Sequence, residues 1–221
     1  DNHQVIWPKD WLPQDFPNIR VISLEYDTPL SKWKGESLPL HDQALIALKK
    51  LKLANVGDRP IVFITHSFGG LLVKQLLQFS SSDKRFRKVL NETAGIVFFS
   101  TPHRGADIAS YADKVFFRKT SALETLYPNS LQLMKLNRDF ELFAPDIPTL
   151  SFGENDNTCV GSKYTCFQLV SDSSSNPNFR TNAEHSFFKL NANHWETCKP
   201  PSRDDFAYRM VIEFLKNCFV Q

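Results

Sequence analysis

The sequence predicts an α/β fold in which a mostly parallel sheet is covered by helices on both faces. Apolar, β-branched runs alternate with stretches of helical spacing along most of the 221 residues, and this alternation is typical of parallel sheets. A serine directly follows one of these runs, and other reactive side chains follow two more. Chemistry gathers at the carboxyl ends of parallel strands, so the pattern that predicts the fold also locates a candidate site.

The most informative stretch is residues 60–77. An apolar run at 61–66 is typical of a buried strand, Ser67 follows it, and Gly69 then precedes apolar residues at helical spacing. This is the order of a nucleophile elbow, G-x-S-x-G, with Thr65 in place of the first glycine. Such a turn places the serine hydroxyl at a helix N-terminus, where developing negative charge is stabilised.

The other elements of the first half follow from composition and spacing. Residues 7–13, rich in Trp and Pro, predict a compact loop or a short helix. Residues 18–26 place β-branched and aromatic residues among polar ones and predict the first strand. Residues 41–53 carry leucines near helical spacing with interleaved lysines, which indicates an amphipathic helix. After a turn come the strand at 61–66 and the helix at 69–80.

The second half continues the alternation within a single predicted domain, 1–221. Residues 95–100 and 147–152 predict two further strands, and 108–146 between them predicts a helical cap. Residues 165–170 are predicted as the last strand, and 204–218 as a closing amphipathic helix. The apolar residues of the cap that are available to line an acyl pocket are Val115, Phe116, Phe117, Leu123 and Leu126.

Composition excludes several classes of protein. A net charge of +2 gives no electrostatic reason to expect nucleic-acid binding, and no apolar run is long enough to span a bilayer. The spacing of Cys159, Cys166, Cys198 and Cys218 fits no zinc site. We expect neither a metal nor a cofactor. Cys159 and Cys166 could face each other across a hairpin, but we expect free thiols.

A serine nucleophile needs a base, usually a histidine oriented by a carboxylate. In this fold class the chain order is Ser, then Asp or Glu, then His, so the base lies late in the chain. His194 is the first choice for that base, and His185 is the second. His66 points to the face opposite Ser67 and is expected to pack beneath the elbow. His103 is expected to have a structural role in a turn.

The carboxylate is predicted at the end of a strand. Glu154 follows the strand at 147–152 and is the first choice; Asp156 is next, and Asp107 follows the preceding strand. Asp172 comes one strand too late. The backbone N–H of Phe68, the residue after the nucleophile, is the first oxyanion donor. We find no His-Gly loop for the second donor, whose loss costs roughly 10²–10³ in rate.

These motifs resemble the lipase-like α/β-hydrolase domain of the serine active site-containing protein family, which is linked to phosphatidylglycerol remodelling. In that family the first elbow position is often serine, so Thr65 is a mild departure. The resemblance covers most of the chain, and the stretches that carry it are residues 7–12, 21–28, 56–60, 65–74, 101–105 and 194–200.

The resemblance implies a catalytic triad of Ser67, Glu154 and His194. It implies a serine hydrolase or acyltransferase acting on lipid acyl esters, such as a glycerophospholipid, at a membrane surface. The implied location is the mitochondrion or mitochondria-associated endoplasmic reticulum membrane. The alternative is a catalytically impaired hydrolase-fold scaffold or a membrane-associated binding module.

The resemblance also implies that the hydrolase fold is truncated at its N-terminus. Family members carry a strand and a His-Gly loop before the part seen in this sequence, and that strand lies between the ones predicted at 18–26 and 61–66. Without it, we expect either a gap in the sheet or direct pairing of the two flanking strands. We also expect this chain alone to be poorly stable or inactive, since unpaired backbone groups in a buried sheet are costly.

Overall fold

A computed structural model describes residues 5–26, 38–107, 109, 121–160 and 165–219. In that part of the chain the strands are β1 (Ile61–His66), β2 (Thr93–Phe99), β3 (Thr149–Glu154), β4 (Thr158–Cys159), β5 (Cys166–Phe167) and β6 (His185–Leu190). The helices are α1 (Trp7–Asp10), α2 (Leu12–Asp15), α3 (Leu40–Leu53), α4 (Phe68–Ser82), α5 (Arg87–Asn91), α6 (Ser121–Thr125), α7 (Leu131–Phe143), α8 (Asp172–Ser175) and α9 (Phe206–Phe219).

The main sheet is parallel, in the order β1-β2-β3-β6. The sheet is covered by helices on both faces, and β2 illustrates this arrangement. Successive side chains of a strand point to opposite faces. Ile96 and Phe98 pack with α3, α4 and α7 in one core cluster. Val97 and Phe99 pack with α1, α2 and α9 in the other. A central strand buried on both faces needs a continuous apolar run, and the predicted α/β fold class is confirmed.

The prediction of a strand at 18–26 is wrong. Residues 19–26 are not paired as a strand, and β1 has β2 as its partner within the described chain. The segment is held by side chains instead: Arg20 Nη2 donates to the Ala54 carbonyl and Lys50 Nζ to the Glu25 carbonyl, each at 2.9 Å. A strand requires backbone partners beside it, and the described residues provide none, so apolar alternation alone does not make one. Direct pairing of this segment with β1 is therefore also absent.

The prediction of the last strand at 165–170 is wrong as well. Only Cys166–Phe167 is a strand there, and it pairs antiparallel with β4, outside the main sheet. The main sheet ends instead at β6, which was not predicted. Most of β6 is only half-buried. Its mixed sequence therefore lacks the continuous apolar run that marks an inner strand.

The expectation of free thiols at Cys159 and Cys166 is also wrong. The β4–β5 register places these residues opposite each other with Cα atoms 3.9 Å apart, and they form a disulfide. Cys198 and Cys218 are free thiols.

The predicted cap lies partly outside the described residues, including Val115, Phe116 and Phe117. Leu123 and Leu126 are buried in the main core, so the cap's role stays a prediction. No helix in the described ranges is long and apolar enough to cross a membrane.

Candidate active site

The predicted elbow is formed where β1 meets α4. Ser67 has a φ of 53°, a conformation that is unusual for a residue other than glycine and costs roughly 1–3 kcal/mol. The Ser67 N–H donates to the Phe99 carbonyl at 2.8 Å, which ties the turn to β2. Gly70 makes the close packing possible, because a Cβ there would lie 2.2 Å from Thr101 Oγ1 and 2.8 Å from Phe98 Cδ1. The surrounding contacts thus hold the strained serine.

The structure brings His194 to the serine. His194 Nε2 lies 3.0 Å from Ser67 Oγ, and the imidazole is buried, with 4% of its side chain exposed. His194 belongs to an irregular segment that follows β6. The residues are 127 positions apart in the chain, so their contact depends on the tertiary fold.

Glu154 completes a continuous chain of hydrogen bonds. Glu154 is the last residue of β3, whereas we expected it to follow the strand. It is fully buried. Its Oε2 lies 2.6 Å from His194 Nδ1, while Oε1 accepts the N–H groups of Leu169 at 2.6 Å and Val170 at 3.1 Å. Because the carboxylate accepts, His194 Nδ1 carries the hydrogen and Nε2 is free to accept the Ser67 proton.

The three carboxylates considered as alternatives to Glu154 do not contact His194 through hydrogen bonds in the described part of the chain. Asp156 and Asp107 are exposed. Asp172 is exposed and lies 2.9 Å from Lys189 Nζ, and its hydrogen bond with that ammonium group lowers the pKa of the carboxyl. None of the three has a hydrogen bond to His194 among the described residues.

The second-choice base, His185, is at the opposite end of the sheet. It begins β6, pairs in register with Thr149, and its ring contacts the hydroxyls of Thr149 and Thr181. Thr149 and Glu154 are the two ends of β3, a separation of about 17 Å at 3.3 Å per residue. His185 therefore does not reach Ser67.

Sequence reasoning missed the role of His66 in the site. His66 Nε2 donates to the His194 carbonyl at 2.8 Å, whereas we expected only a packing residue. Burial, assisted by nearby His194, lowers the pKa of His66 to about 4. A hydrogen bond from one histidine to the main chain of another leaves no signal in a single sequence.

A second polar cluster lies beneath the elbow helix. Lys74 on α4 is fully buried, with Nζ 2.8 Å from His103 Nδ1 and hydrogen-bonded to Asn137 Oδ1. Burial lowers the pKa of both Lys74 and His103 well below their usual values. This network links α4, the turn after β2 and α7. The expected structural role of His103 is therefore confirmed.

Phe68 is the first residue of α4. The first N–H groups of a helix have no partner four residues earlier, so the Phe68 N–H is available at the positive end of a 15-residue helix. The second oxyanion donor stays a prediction.

No protein-family model matches the chain. Curated relatives do: a bovine (Bos taurus) protein SERAC1 is 35% identical over 97% of the chain, and the zebrafish (Danio rerio) protein is 33% identical over 98%. The chain is homologous to protein SERAC1. It spans 33% of the bovine SERAC1 length and 34% of the zebrafish SERAC1 length. This homology confirms the resemblance inferred from the elbow and its flanking motifs.

Solved structures place the fold among the α/β hydrolases. Phospholipase PlaB from Legionella pneumophila matches 97% of the chain and 60% of its own, with a TM-score of 0.60 at 16% identity. A mature Bacillus licheniformis lipase, BlEst2, matches 82% of the chain and 75% of its own, with a TM-score of 0.51 at 15% identity. At such identities the similarity concerns the fold alone.

Proposed function

We propose that this chain is a serine hydrolase or acyltransferase domain acting on lipid acyl esters. One observation carries the proposal: the unbroken hydrogen-bond chain from Ser67 Oγ through His194 to Glu154. It joins three elements at the carboxyl end of a parallel sheet, where α/β enzymes carry out their chemistry. The Ser67 backbone strain and the buried Glu154 carboxylate both support a site held for reaction.

The proposed reaction begins when His194 Nε2 takes the hydroxyl proton of Ser67 and Oγ attacks the ester carbonyl carbon. The carbonyl oxygen becomes an oxyanion that accepts from the Phe68 N–H. Collapse expels the alcohol, which receives the proton from His194, and leaves an acyl group on Ser67. Glu154 stabilises the imidazolium of His194 and keeps the hydrogen on His194 Nδ1 directed towards Glu154 Oε2.

The acyl-enzyme is then resolved by water or by a second alcohol. Water gives hydrolysis, and a lysophospholipid hydroxyl gives acyl transfer, so exclusion of water from the acyl-enzyme decides between them. Homology to protein SERAC1 and the likeness to a phospholipase fold support a lipid acyl ester as the substrate class. Phosphatidylglycerol remodelling at a mitochondrial or mitochondria-associated endoplasmic reticulum membrane is the specific form that we propose.

The test is activity-based labelling of the full-length protein with a fluorophosphonate, together with turnover of a p-nitrophenyl ester. Ser67→Ala should abolish labelling, and loss of the nucleophile should lower turnover by roughly 10⁶. Ser151→Ala is a matched control, because Ser151 is a buried serine on β3. Lipid extraction after incubation with phosphatidylglycerol would separate the released fatty acid of a hydrolase from the exchanged chain of a transferase. Unchanged turnover in Ser67→Ala would refute the assignment, and an inert wild-type protein would favour the scaffold.

A further inference from the structure

We propose that His66 is a positioning residue that holds the main chain of the base while the adjacent Ser67 contacts its ring. The inference rests on the proposed function, since it concerns the same site. His66 Nε2 lies 2.8 Å from the His194 carbonyl oxygen, and His194 Nε2 lies 3.0 Å from Ser67 Oγ. A carbonyl oxygen only accepts, so His66 Nε2 carries the hydrogen and donates it.

The base needs such support because no regular element holds it. Residues 191–205 contain neither helix nor strand, so His194 is positioned by a few turn hydrogen bonds, such as that from the Thr197 N–H to the Asn193 carbonyl at 3.1 Å, and by side-chain hydrogen bonds. The His194 N–H donates to Thr158 Oγ1 at 2.9 Å, and Thr197 Oγ1 donates to the His194 carbonyl at 3.1 Å. Thr197 belongs to the same turn as His194. The link to the strand that carries the nucleophile is therefore made by His66.

Two neighbouring residues, His66 and Ser67, contact the main-chain carbonyl and the ring of His194, respectively. His66 is the last residue of β1, paired with Phe99 on β2, and the Ser67 N–H donates to that residue's carbonyl. The hydrogen bonds from His66 and Ser67 to His194 thus come from consecutive residues that are held against β2, an inner strand of the described sheet. A shift of the His194 main chain away from His66 would change the distance between Nε2 and Oγ directly. Misplacement by about 1 Å can cost on the order of 10²-fold in rate.

His66 also suits this position electrostatically. Its ring centroid lies 4.9 Å from that of His194, where a second cation would repel the imidazolium formed during the reaction. Burial and the neighbouring His194 lower the pKa of His66 to about 4. His66 therefore remains a neutral donor over the pH range in which an ordinary imidazole titrates.

The test compares two substitutions in the full-length protein. His66→Gln keeps an N–H donor at similar reach, whereas His66→Leu retains bulk and removes the donor. His185→Leu is the matched control, because His185 is a partly buried histidine at the other end of the sheet. The first measurement is the rate constant for fluorophosphonate labelling of Ser67. The second is the ¹H–¹⁵N imidazole spectrum, in which the His194 Nδ1 hydrogen bonded to Glu154 gives a downfield signal that requires no turnover.

We expect His66→Leu to label about 10²-fold more slowly and to lose or broaden the downfield signal, while His66→Gln recovers most of both. The His185→Leu control should label at the wild-type rate. A wild-type rate and an unchanged signal in His66→Leu would overturn the inference, and so would equal losses in the Gln and Leu variants. If the wild-type protein does not label at Ser67, the proposed function fails, and the imidazole spectrum still decides whether His66 positions His194.

Discussion

Replacing Glu154 by glutamine tests whether the buried carboxylate sets the tautomer of the base. The substitution keeps the size of the side chain but replaces one acceptor oxygen with an NH₂ group. The carboxylate of Glu154 has three donors around it, the N–H groups of Leu169 and Val170 at Oε1 and His194 Nδ1 at Oε2. An amide cannot accept from all three.

The two orientations of the amide have different costs. With its oxygen towards Leu169 and Val170, the NH₂ group faces His194 Nδ1, which must then accept, so the ring hydrogen moves to Nε2 and blocks proton uptake from Ser67. With its oxygen towards His194, the NH₂ group faces two buried N–H donors, and each lost hydrogen bond costs about 1–3 kcal/mol. The active tautomer is therefore disfavoured by about 2–6 kcal/mol. At 1.36 kcal/mol per tenfold change, this lowers the rate by about 30-fold to 10⁴-fold.

The assay is the rate of fluorophosphonate labelling of the full-length protein, with thermal unfolding measured in parallel. Asp156→Asn is the control, because Asp156 is an exposed carboxylate two residues along the chain. We expect Glu154→Gln to lose between 30-fold and 10⁴-fold while Asp156→Asn keeps the wild-type rate. Labelling of Glu154→Gln within threefold of wild type, or a large loss in Asp156→Asn alone, would refute the reasoning.

Three further changes should alter stability. Gly70→Ala should lower the free energy of unfolding in urea by about 1–3 kcal/mol, because the new Cβ would lie 2.2 Å from Thr101 Oγ1. In the folded protein the pKa of Lys74 is lowered, so over this range the unfolded chain binds more protons and the free energy of unfolding rises from neutral to alkaline pH. Lys74→Met should remove that rise. Reduction of the Cys159–Cys166 disulfide, whose sequence separation is 7, should destabilise the chain by up to about 2.5 kcal/mol, seen as a lower Tm.

Each of these predictions has a control. Adding Thr101→Ala to Gly70→Ala should restore part of the stability, because the Thr101 hydroxyl has no hydrogen-bond partner to lose among the described residues. Equal losses in the single and double variants would contradict the packing argument. For Lys74→Met, the same pH slope as in wild type would exclude Lys74 as its source. For the disulfide, a reductant should not change the Tm of a Cys159→Ser, Cys166→Ser double variant.

The local sequence pattern was sufficient to predict the centre of the fold. The elbow, the strand at 61–66 and the helix after it were predicted because a buried parallel strand needs a continuous apolar run and a tight turn needs small residues. The outer elements were less predictable. Residues 18–26 have the composition of a strand, but no described strand lies beside them as a partner. Residues 185–190 form a strand despite a mixed sequence, because they pair with the edge of β3.

The sequence by itself determined the sheet-and-helix class, the position of the serine and the short set of residues from which its partners come. Tertiary structure decided which members of that set meet: Glu154 and not Asp156 faces His194, and His185 lies at the far end of β3. It also decided that Cys159 bonds Cys166 and that His66 holds the His194 carbonyl. The physical reason is that side-chain type and local spacing are properties of the chain. Which residues meet, whether 7 positions apart as in the disulfide or 128 apart as in His66 and His194, depends on strand register and loop packing, which only the folded chain fixes.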